Sequence, residues 1–292
     1  MKIKDIFIGL LVIVIWGLNF IAIKLGLKTV SPIFLGALRF LVVALPAVFF
    51  VKKPPISWKN LFLLALSINV GQFALLFIGM SMGMPAGISS LVLQAQVIFT
   101  PILGVIFLKE KWKFNQKIGS LIAVGGLIVI AFGKQRGMTA TGFMLTLMAS
   151  ACWSTGNIII RQETKGKEDY PMLALIIWAG LVSVIPLVLL SLLVEGPAAI
   201  LVSLQSINGL TVLSIGYIAY LSSLVGYGLW GKLLSSYDAS KVAPFSLLVP
   251  VVGITSAAII LGEHLTLFGI FGTLLIMIGL IISVFSSKKN SR

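Results

Sequence analysis

Acidic residues are scarce in this chain. Eight Asp and Glu serve 292 positions, and none stands in the middle of a long apolar run. Asp5, Glu110 and Glu263 lie at the ends of such runs, and Glu163, Glu168, Asp169, Glu195 and Asp238 lie between them. Charged residues of both signs make up 10% of the chain, against about 25% in a soluble protein. So few cannot cover a surface facing water. With 59% hydrophobic residues and a mean hydropathy of +1.12, the solvent that fits this chain is lipid. Cysteine and histidine are almost missing too. The one cysteine, Cys152, excludes an intramolecular disulfide and any zinc pattern, and in its apolar run it reads as a packing residue. The one histidine, His264, falls in a connection between apolar runs, where it reads as solvated. No G-x-x-x-x-G-K-[ST] loop is present, which excludes an ATPase of that type. No nucleophile, base and acid come together in the pattern that catalysis needs. The sequence therefore calls for no cofactor and no metal.

What is abundant is basic charge and apolar length. The net charge is +14. A basic excess can signal nucleic acid, but here the cations form short clusters between apolar runs, and no basic, aromatic-interleaved surface can be assembled from them. About 20 apolar residues cross a bilayer. The runs predict ten spans at 5–25, 32–51, 60–80, 86–108, 114–132, 139–160, 172–192, 208–229, 241–261 and 267–286, with short connections and no soluble domain. Met1 to Lys4 looks like a signal-peptide start, yet the 18-residue run Ile6–Ile23 has no small-residue cleavage site after it and reads as a retained first span. With ten spans both termini share a side. That side holds 17 of the Lys and Arg, the other holds Lys24, Lys28, Lys134 and Arg136, and Arg39 lies within span 2. Cations concentrate on the cytoplasmic side of membrane proteins, so both termini are expected there.

The chain also repeats itself. Trp16-Gly-Leu-Asn-Phe-Ile-Ala-Ile-Lys24 in span 1 matches Trp153-Ser-Thr-Gly-Asn-Ile-Ile-Ile-Arg161 in span 6 at an offset of 137. Phe107-Leu-Lys-Glu110 matches Ile260-Leu-Gly-Glu263 at an offset of 153, which also puts Gly119 on Gly272 and Gly126 on Gly279. The growth in offset calls for insertions, with 161–171 and 193–207 as candidates. The expected fold is an all-α membrane protein of ten transmembrane helices in two five-helix repeats, 1–137 and 138–292. Five is odd, so the second repeat enters from the opposite side. Such inverted repeats place a site near the bilayer midplane, at their interface.

Polar groups in hydrocarbon are costly unless they face the bundle interior or a wet cavity. In span 1, Trp16, Asn19, Phe20 and Ile23 share a face. Asn69, Gln72, Phe73 and Leu76 do so in span 3, and Tyr217, Tyr220, Leu224 and Tyr227 in span 8. Trp153 and Asn157 share a face of span 6, continued by Thr146 and Ser150. Gln94 and Gln96 in span 4 stand about 200° apart on a regular helix, so at most one points fully into a cavity. Trp178 in span 7 joins the candidate lining. Amides and rings of this kind suit a small zwitterion; the same amides serve equally as interhelical hydrogen bonds. Arg39 is the only full charge deep in a span. It reads either as a clamp for a substrate carboxylate or as a structural tie for backbone carbonyls. Pro46, Pro101, Pro186 and Pro250 interrupt spans, and Pro101 and Pro250, in spans 4 and 9, are candidate hinges.

These features, in order, resemble the drug/metabolite transporter superfamily, EamA type. The resemblance is carried by Trp16-Gly-Leu-Asn19-Phe20, Leu38-Arg39-Phe40, Pro85-Ala-Gly87, Phe99-Thr-Pro101, Leu108-Lys-Glu110, Trp153 with Asn157, and Gly262-Glu263. It covers essentially the whole chain. Met84 to Gln96, Gly226 to Gly231 and Val242 to Gly253 are further similar to bacterial exporters of O-acetylserine and cysteine. The resemblance implies a secondary transporter in the bacterial inner membrane that exports small amino-acid metabolites by alternating access. Its partners would be that small-molecule substrate and the lipid bilayer, with no nucleic acid, and a monomer is plausible. Another small metabolite or drug, or a lipid or sugar conjugate, is the alternative cargo. Small multidrug exporters of the superfamily use a buried Glu in their first span. Here Trp16 and Asn19 stand there instead, which argues against proton antiport of that type.

Overall fold

In a computed structural model of the chain, residues 1–133, 135–167, 170–237 and 239–285 are described, and no strand occurs among them. Among the described residues ten helical stretches are long and apolar enough to cross a membrane: Ile3–Gly26, Pro32–Phe49, Trp58–Ser81, Ala86–Leu108, Phe114–Phe132, Ala140–Thr164, Met172–Val194, Gly209–Ser236, Pro244–Leu261 and Leu267–Val284. They are spans 1 to 10. Local chemistry sets many of their ends. Ser57 Oγ accepts from the Asn60 N–H at 3.1 Å, Thr139 Oγ1 from Gly142 at 3.0 Å, and Asn208 Oδ1 from Thr211 at 3.0 Å, each satisfying a donor that the first helical turn leaves free. Pro32 opens span 2, where a missing N–H costs nothing.

The differences from the expected spans have local causes. The α-helix of span 2 stops at Ala44, just before Pro46, and resumes as a 3₁₀ turn over Ala47–Phe49. Span 8 runs on past Lys232 to Ser236, because a lysine stem can lie along a helix end with its ammonium in water. The connection after span 7 holds an extra helix, Gly196–Gln205. Pro250 does not kink the interior of span 9. A turn at Leu247–Leu248 separates the helix Ala239–Ser246 from the helix Val249–Leu261, and Pro250 sits in the first turn of the second piece.

The packing is regular. Span 1 lies against spans 8 and 9, and span 6 against spans 3 and 4, while spans 2, 4 and 5 pack on spans 7, 9 and 10. Spans 3 and 8 each widen into a π-helical segment, at Ala65–Gln72 and Tyr217–Gly226. Spans 4 and 9 each break in the middle, at Leu93–Ala95 and Leu247–Leu248. Large apolar side chains such as Phe7, Leu121, Ile185, Leu213 and Ile259 point outward, as the lipid-facing wall of a bundle requires. Spans 5 and 10 cross where glycines face each other. A Cβ on Gly119 would meet the Gly279 carbonyl at 2.4 Å, and one on Gly126 the Gly272 carbonyl at 2.7 Å. Such contacts let two backbones approach without side chains between them.

Gly125, one residue away, faces open space, which makes a paired test. Gly126→Ala is expected to destabilise the protein by about 1–3 kcal/mol through overpacking against backbone, while Gly125→Ala leaves stability unchanged or slightly raised. Melting in detergent of the two purified variants reads the difference.

Candidate functional site

A cavity of about 620 Å³ opens at the lysine-rich end of the bundle. Its mouth is ringed by Glu110, Lys111, Trp112, Lys113 and Arg161, and its inner wall is formed by Gln94, Gln96, Val97, Thr100, Pro101 and Asn157. Asn157 donates to Gln96 Oε1 at 2.9 Å, and Gln96 reaches Gln94 Oε1 at 3.5 Å, so three amides form a chain from span 6 to span 4. Both glutamines line the cavity, contrary to the angular argument from a regular helix. The 3₁₀ turn at Leu93–Ala95 lies between the helix Ala86–Val92 and the helix Gln96–Leu108, and helical spacing does not hold across it. Thr100 Oγ1 and Trp112 Nε1 on the same walls are buried without a protein partner. Neither stood out in the sequence: Thr100 reads as the neighbour of a kinking proline, and Trp112 as an interfacial anchor among lysines.

Beyond the cavity lies a second polar group on spans 1, 2, 3 and 8. Arg39 is 2% exposed. Its Nη2 donates to Ser223 Oγ at 3.0 Å, its guanidinium stands 4.0 Å from the Phe73 ring centroid and 5.5 Å from that of Phe40, and its Nε and Nη1 have no partner. Asn19 Oδ1 and Gln72 Oε1 are likewise buried and open, whereas Asn69 reaches Ser183 Oγ at 3.4 Å. Buried polar atoms are rarely left without a partner, so water or a ligand is expected to complete these atoms.

Trp16 donates to the Ser222 carbonyl at 3.1 Å and stacks with Tyr227 and Trp230, each 5.2 Å away between ring centroids. Tyr217 donates to the Ile15 carbonyl at 3.0 Å. These bonds use carbonyls of the π-helical segment and of span 1. Phe20 is buried in the main apolar cluster, with Trp153 packed against it. Trp178 lies elsewhere: it donates to the Val51 carbonyl at 3.0 Å and meets Trp58 edge-on at 6.0 Å. A second cleft of about 510 Å³ separates Tyr227 and Gly231 from the 6–7 connection. On its rim, burial and then the Glu163 carboxylate raise the Tyr170 phenol above its ordinary range.

At the opposite end, beside a smaller cavity of about 310 Å³ lined by Arg136, Glu263 and His264, acids act on helix termini. Glu263 accepts from the Ala86 and Gly87 N–H groups at 2.8 and 2.9 Å, capping span 4. Glu195 accepts from the Ile33 and Phe34 N–H groups at 2.7 and 3.2 Å and from the Ser31 and Ser191 hydroxyls at 3.0 and 2.6 Å. Lys24 donates to the Met80 carbonyl at 2.9 Å, at the end of span 3. Each charge has the sign that the helix dipole favours. In the sequence Glu195 is one loop acid among five, because nothing local links it to Phe34 and Ile33, 161 and 162 positions away. No group of three or more His, Cys, Asp or Glu gathers among the described residues to hold a metal.

Comparison with known proteins gives these walls a context. A family model described as the EamA-like transporter family matches residues 3–132 and again 140–285. A Salmonella typhimurium protein named a probable amino-acid metabolite efflux pump is 45% identical over 287 residues, covering 98% of this chain and 96% of its own length. Its Escherichia coli namesake is 44% identical over the same coverage. A probable terminal-alkyne amino-acid exporter of Streptantibioticus cattleyicolor is 25% identical over 89% of this chain and 86% of its own. A solved crystal structure at 15% identity superposes with a TM-score of 0.65 over 100% of this chain and 99% of that one, a likeness of fold alone.

Removing the Glu195 carboxylate leaves two buried N–H groups and two hydroxyls without their acceptor. Glu195→Ala is expected to lower stability by about 3 kcal/mol, the scale of a charged hydrogen bond together with the donors it leaves unpaired, and Glu195→Gln by less. Denaturation of the purified variants in detergent measures the order.

Proposed function

The chain belongs to the EamA-like transporter family, and from that premise we propose that it exports small neutral amino-acid metabolites, cysteine and O-acetylserine among them, by alternating access. At the coarser level it is a multi-pass inner-membrane transporter of small metabolites. The observation that carries the finer reading is the asymmetry of the path: an amide-lined cavity of 620 Å³ open at one end, and capped, hydrogen-bonded helix termini closing the other. This is the shape of a carrier facing one side. The excess of Lys and Arg at the open end supports assigning it, with both termini, to the cytoplasm.

Two inverted halves, 1–137 and 138–292, supply the means of alternation. Several observations support that division. The family model matches twice. Exchanging each span for the one five places along carries the packing of span 1 on spans 8 and 9 onto that of span 6 on spans 3 and 4, and maps the 2–7, 4–9 and 5–10 contacts onto themselves. The π-helical segments fall in spans 3 and 8, and the breaks in spans 4 and 9. Gly119 faces Gly279 and Gly126 faces Gly272, as a two-fold axis relating 119 to 272 and 126 to 279 requires. The matched breaks, more than Pro101 or Pro250, are where the helices can flex, because the backbone ladder is already interrupted there.

In this reading Gln94, Gln96 and Asn157 meet the ammonium and carboxylate of a zwitterion entering from the cytoplasm. The open Nε and Nη1 of Arg39 take the carboxylate deeper in the path, beside Asn19 and Gln72, with Phe73 as the wall behind. Trp16, Phe20, Asn69, Trp153 and Tyr227 shape and support that passage, and Trp178 serves the lysine-rich end.

Purified protein in liposomes tests the cargo. Labelled cysteine or O-acetylserine is expected to cross faster than in empty vesicles, and the absence of flux for every neutral amino acid would sink the reading. Gln96→Leu or Asn157→Leu is expected to raise the KM for transport about tenfold or more, the worth of a polar contact with a charged group. Arg39→Lys keeps charge but not the fork, and is expected to lower flux at unchanged expression. For orientation, a periplasm-dependent reporter fused after residue 137 is expected to be active, and one fused after residue 292 inactive.

A further inference from the structure

We propose that the two ends of the path are closed in turn by equivalent acid–base pairs, one from each half. Glu263 and Lys24 hold the span 3–4 turn in the state seen here. Glu110 and Arg161 take the same hold on the span 8–9 turn when the lysine-rich end closes. The inference rests on the alternating-access reading above and names the residues that position its second state.

The two glutamates leave their helices from the same geometry. Span 4 ends in Lys109 with φ 54°, and span 9 in Gly262 with φ 66°, both left-handed. The next N–H then turns back to the helix: Glu110 donates to the Gly104 carbonyl at 3.2 Å, and Glu263 to that of Ala257 at 3.2 Å. Both donor and acceptor are 153 residues apart in the two halves. A left-handed residue is unfavourable for lysine, yet Lys109 adopts it. The turn that aims the carboxylate is thus built even where glycine is absent.

The cations correspond as well. Lys24 matches Arg161 at the offset of 137 found in spans 1 and 6. In the closed end, Lys24 donates to the Met80 carbonyl and lies within electrostatic reach of Glu263, whose oxygens hold the Ala86 and Gly87 N–H groups. One turn is therefore gripped from both sides: its descending helix end by a cation, its ascending helix start by an anion. At the offset of 153, Met80 corresponds to Leu233, and Ala86 and Gly87 to Ala239 and Ser240, the first residues of the helix Ala239–Ser246. Those are the groups the second pair would grip.

In the present state the second pair is engaged with itself. Arg161 Nη1 stands 3.0 Å from Glu110 Oε2 at the cavity mouth, both side chains well exposed. An exposed ion pair is weak, so parting it is easy, and each partner gains buried, charge-assisted contacts when the mouth closes. The turns themselves travel with matched partners. Thr139 Oγ1 at the start of span 6 donates to the Met82 carbonyl in the 3–4 turn at 2.7 Å, and Tyr237 at the 8–9 turn donates to Asp5 at the start of span 1 at 2.6 Å. Each grip therefore crosses between a group of spans 3, 4 and 6 and a group of spans 1, 8 and 9.

The test is side-specific labelling of Val97→Cys, on the cavity wall, in a Cys152→Ala background. A membrane-impermeant maleimide is applied to vesicles of either orientation. Glu263→Gln is expected to speed labelling from the periplasmic side about tenfold, the size of one lost charged hydrogen bond. Glu110→Gln and Arg161→Gln are expected to slow it by a similar factor, and the double variant Glu110→Gln/Glu263→Gln to return towards the parent. Monodispersity and melting confirm that each variant is folded, and glutamine retains an acceptor for one N–H, so folded protein is expected. Faster or unchanged periplasmic labelling in both Glu110→Gln and Arg161→Gln would overturn the proposal. Labelling needs no substrate. Opposite shifts without amino-acid flux would keep the gate and reject the cargo, whereas flux with shifts of one sign would do the reverse.

Discussion

In hydrocarbon no water completes a backbone hydrogen bond, and every freed N–H or carbonyl must find its partner inside the protein. This constraint shapes the molecule. Ten helices absorb most of the backbone. Where a helix starts, stops or breaks, a side chain from a distant span steps in: Glu195 at the start of span 2, Glu263 at the start of span 4, Lys24 at the end of span 3. Trp16 and Trp178 do the same with single carbonyls of the π-helical segment and of the connection after span 2. Glu195, Glu263 and Lys24 thus act on helix termini, whereas Arg39 is buried within a span.

The same constraint explains why the site lies where it does. Irregular backbone is tolerated at membrane depth only where it lines a cavity or is buried in protein. Span 4 breaks at Leu93–Ala95, and the glutamines flanking that break, with Asn157 across from them, become the polar wall. Arg39 shows the other solution. Its charge is spread over the faces of Phe73 and Phe40 and tied once to Ser223, which leaves two donors open.

Much of the fold was legible in the residues. The ten apolar runs lie within a few residues of the ten spans, because bilayer thickness sets a length that hydropathy alone can report. The glycines at 119, 126, 272 and 279 pointed to spans 5 and 10, and they face each other. Among the candidate lining residues, Gln94, Gln96 and Asn157 come together at one cavity. Trp178 does not join them, because a tryptophan in an apolar run looks the same whether it meets a cavity or a loop carbonyl. Angular reasoning failed for Gln94 and Gln96, since a run of apolar and amide residues carries no sign that the helix between them tightens. Trp230, beside Trp16, was hidden for a similar reason: the widened π-helical turn shifts which residues of span 8 share a face.

Composition and periodicity by themselves determined that the chain crosses a membrane ten times, because hydropathy over a fixed length is a property of sequence alone. The resemblance pointed to the kind of cargo. Only the tertiary structure decided which end carries the larger cavity, and which acids cap helix termini at the other. Those facts depend on contacts between residues 161 and 177 positions apart, and such contacts obey the three-dimensional demand of each helix terminus for a partner, which no local pattern records.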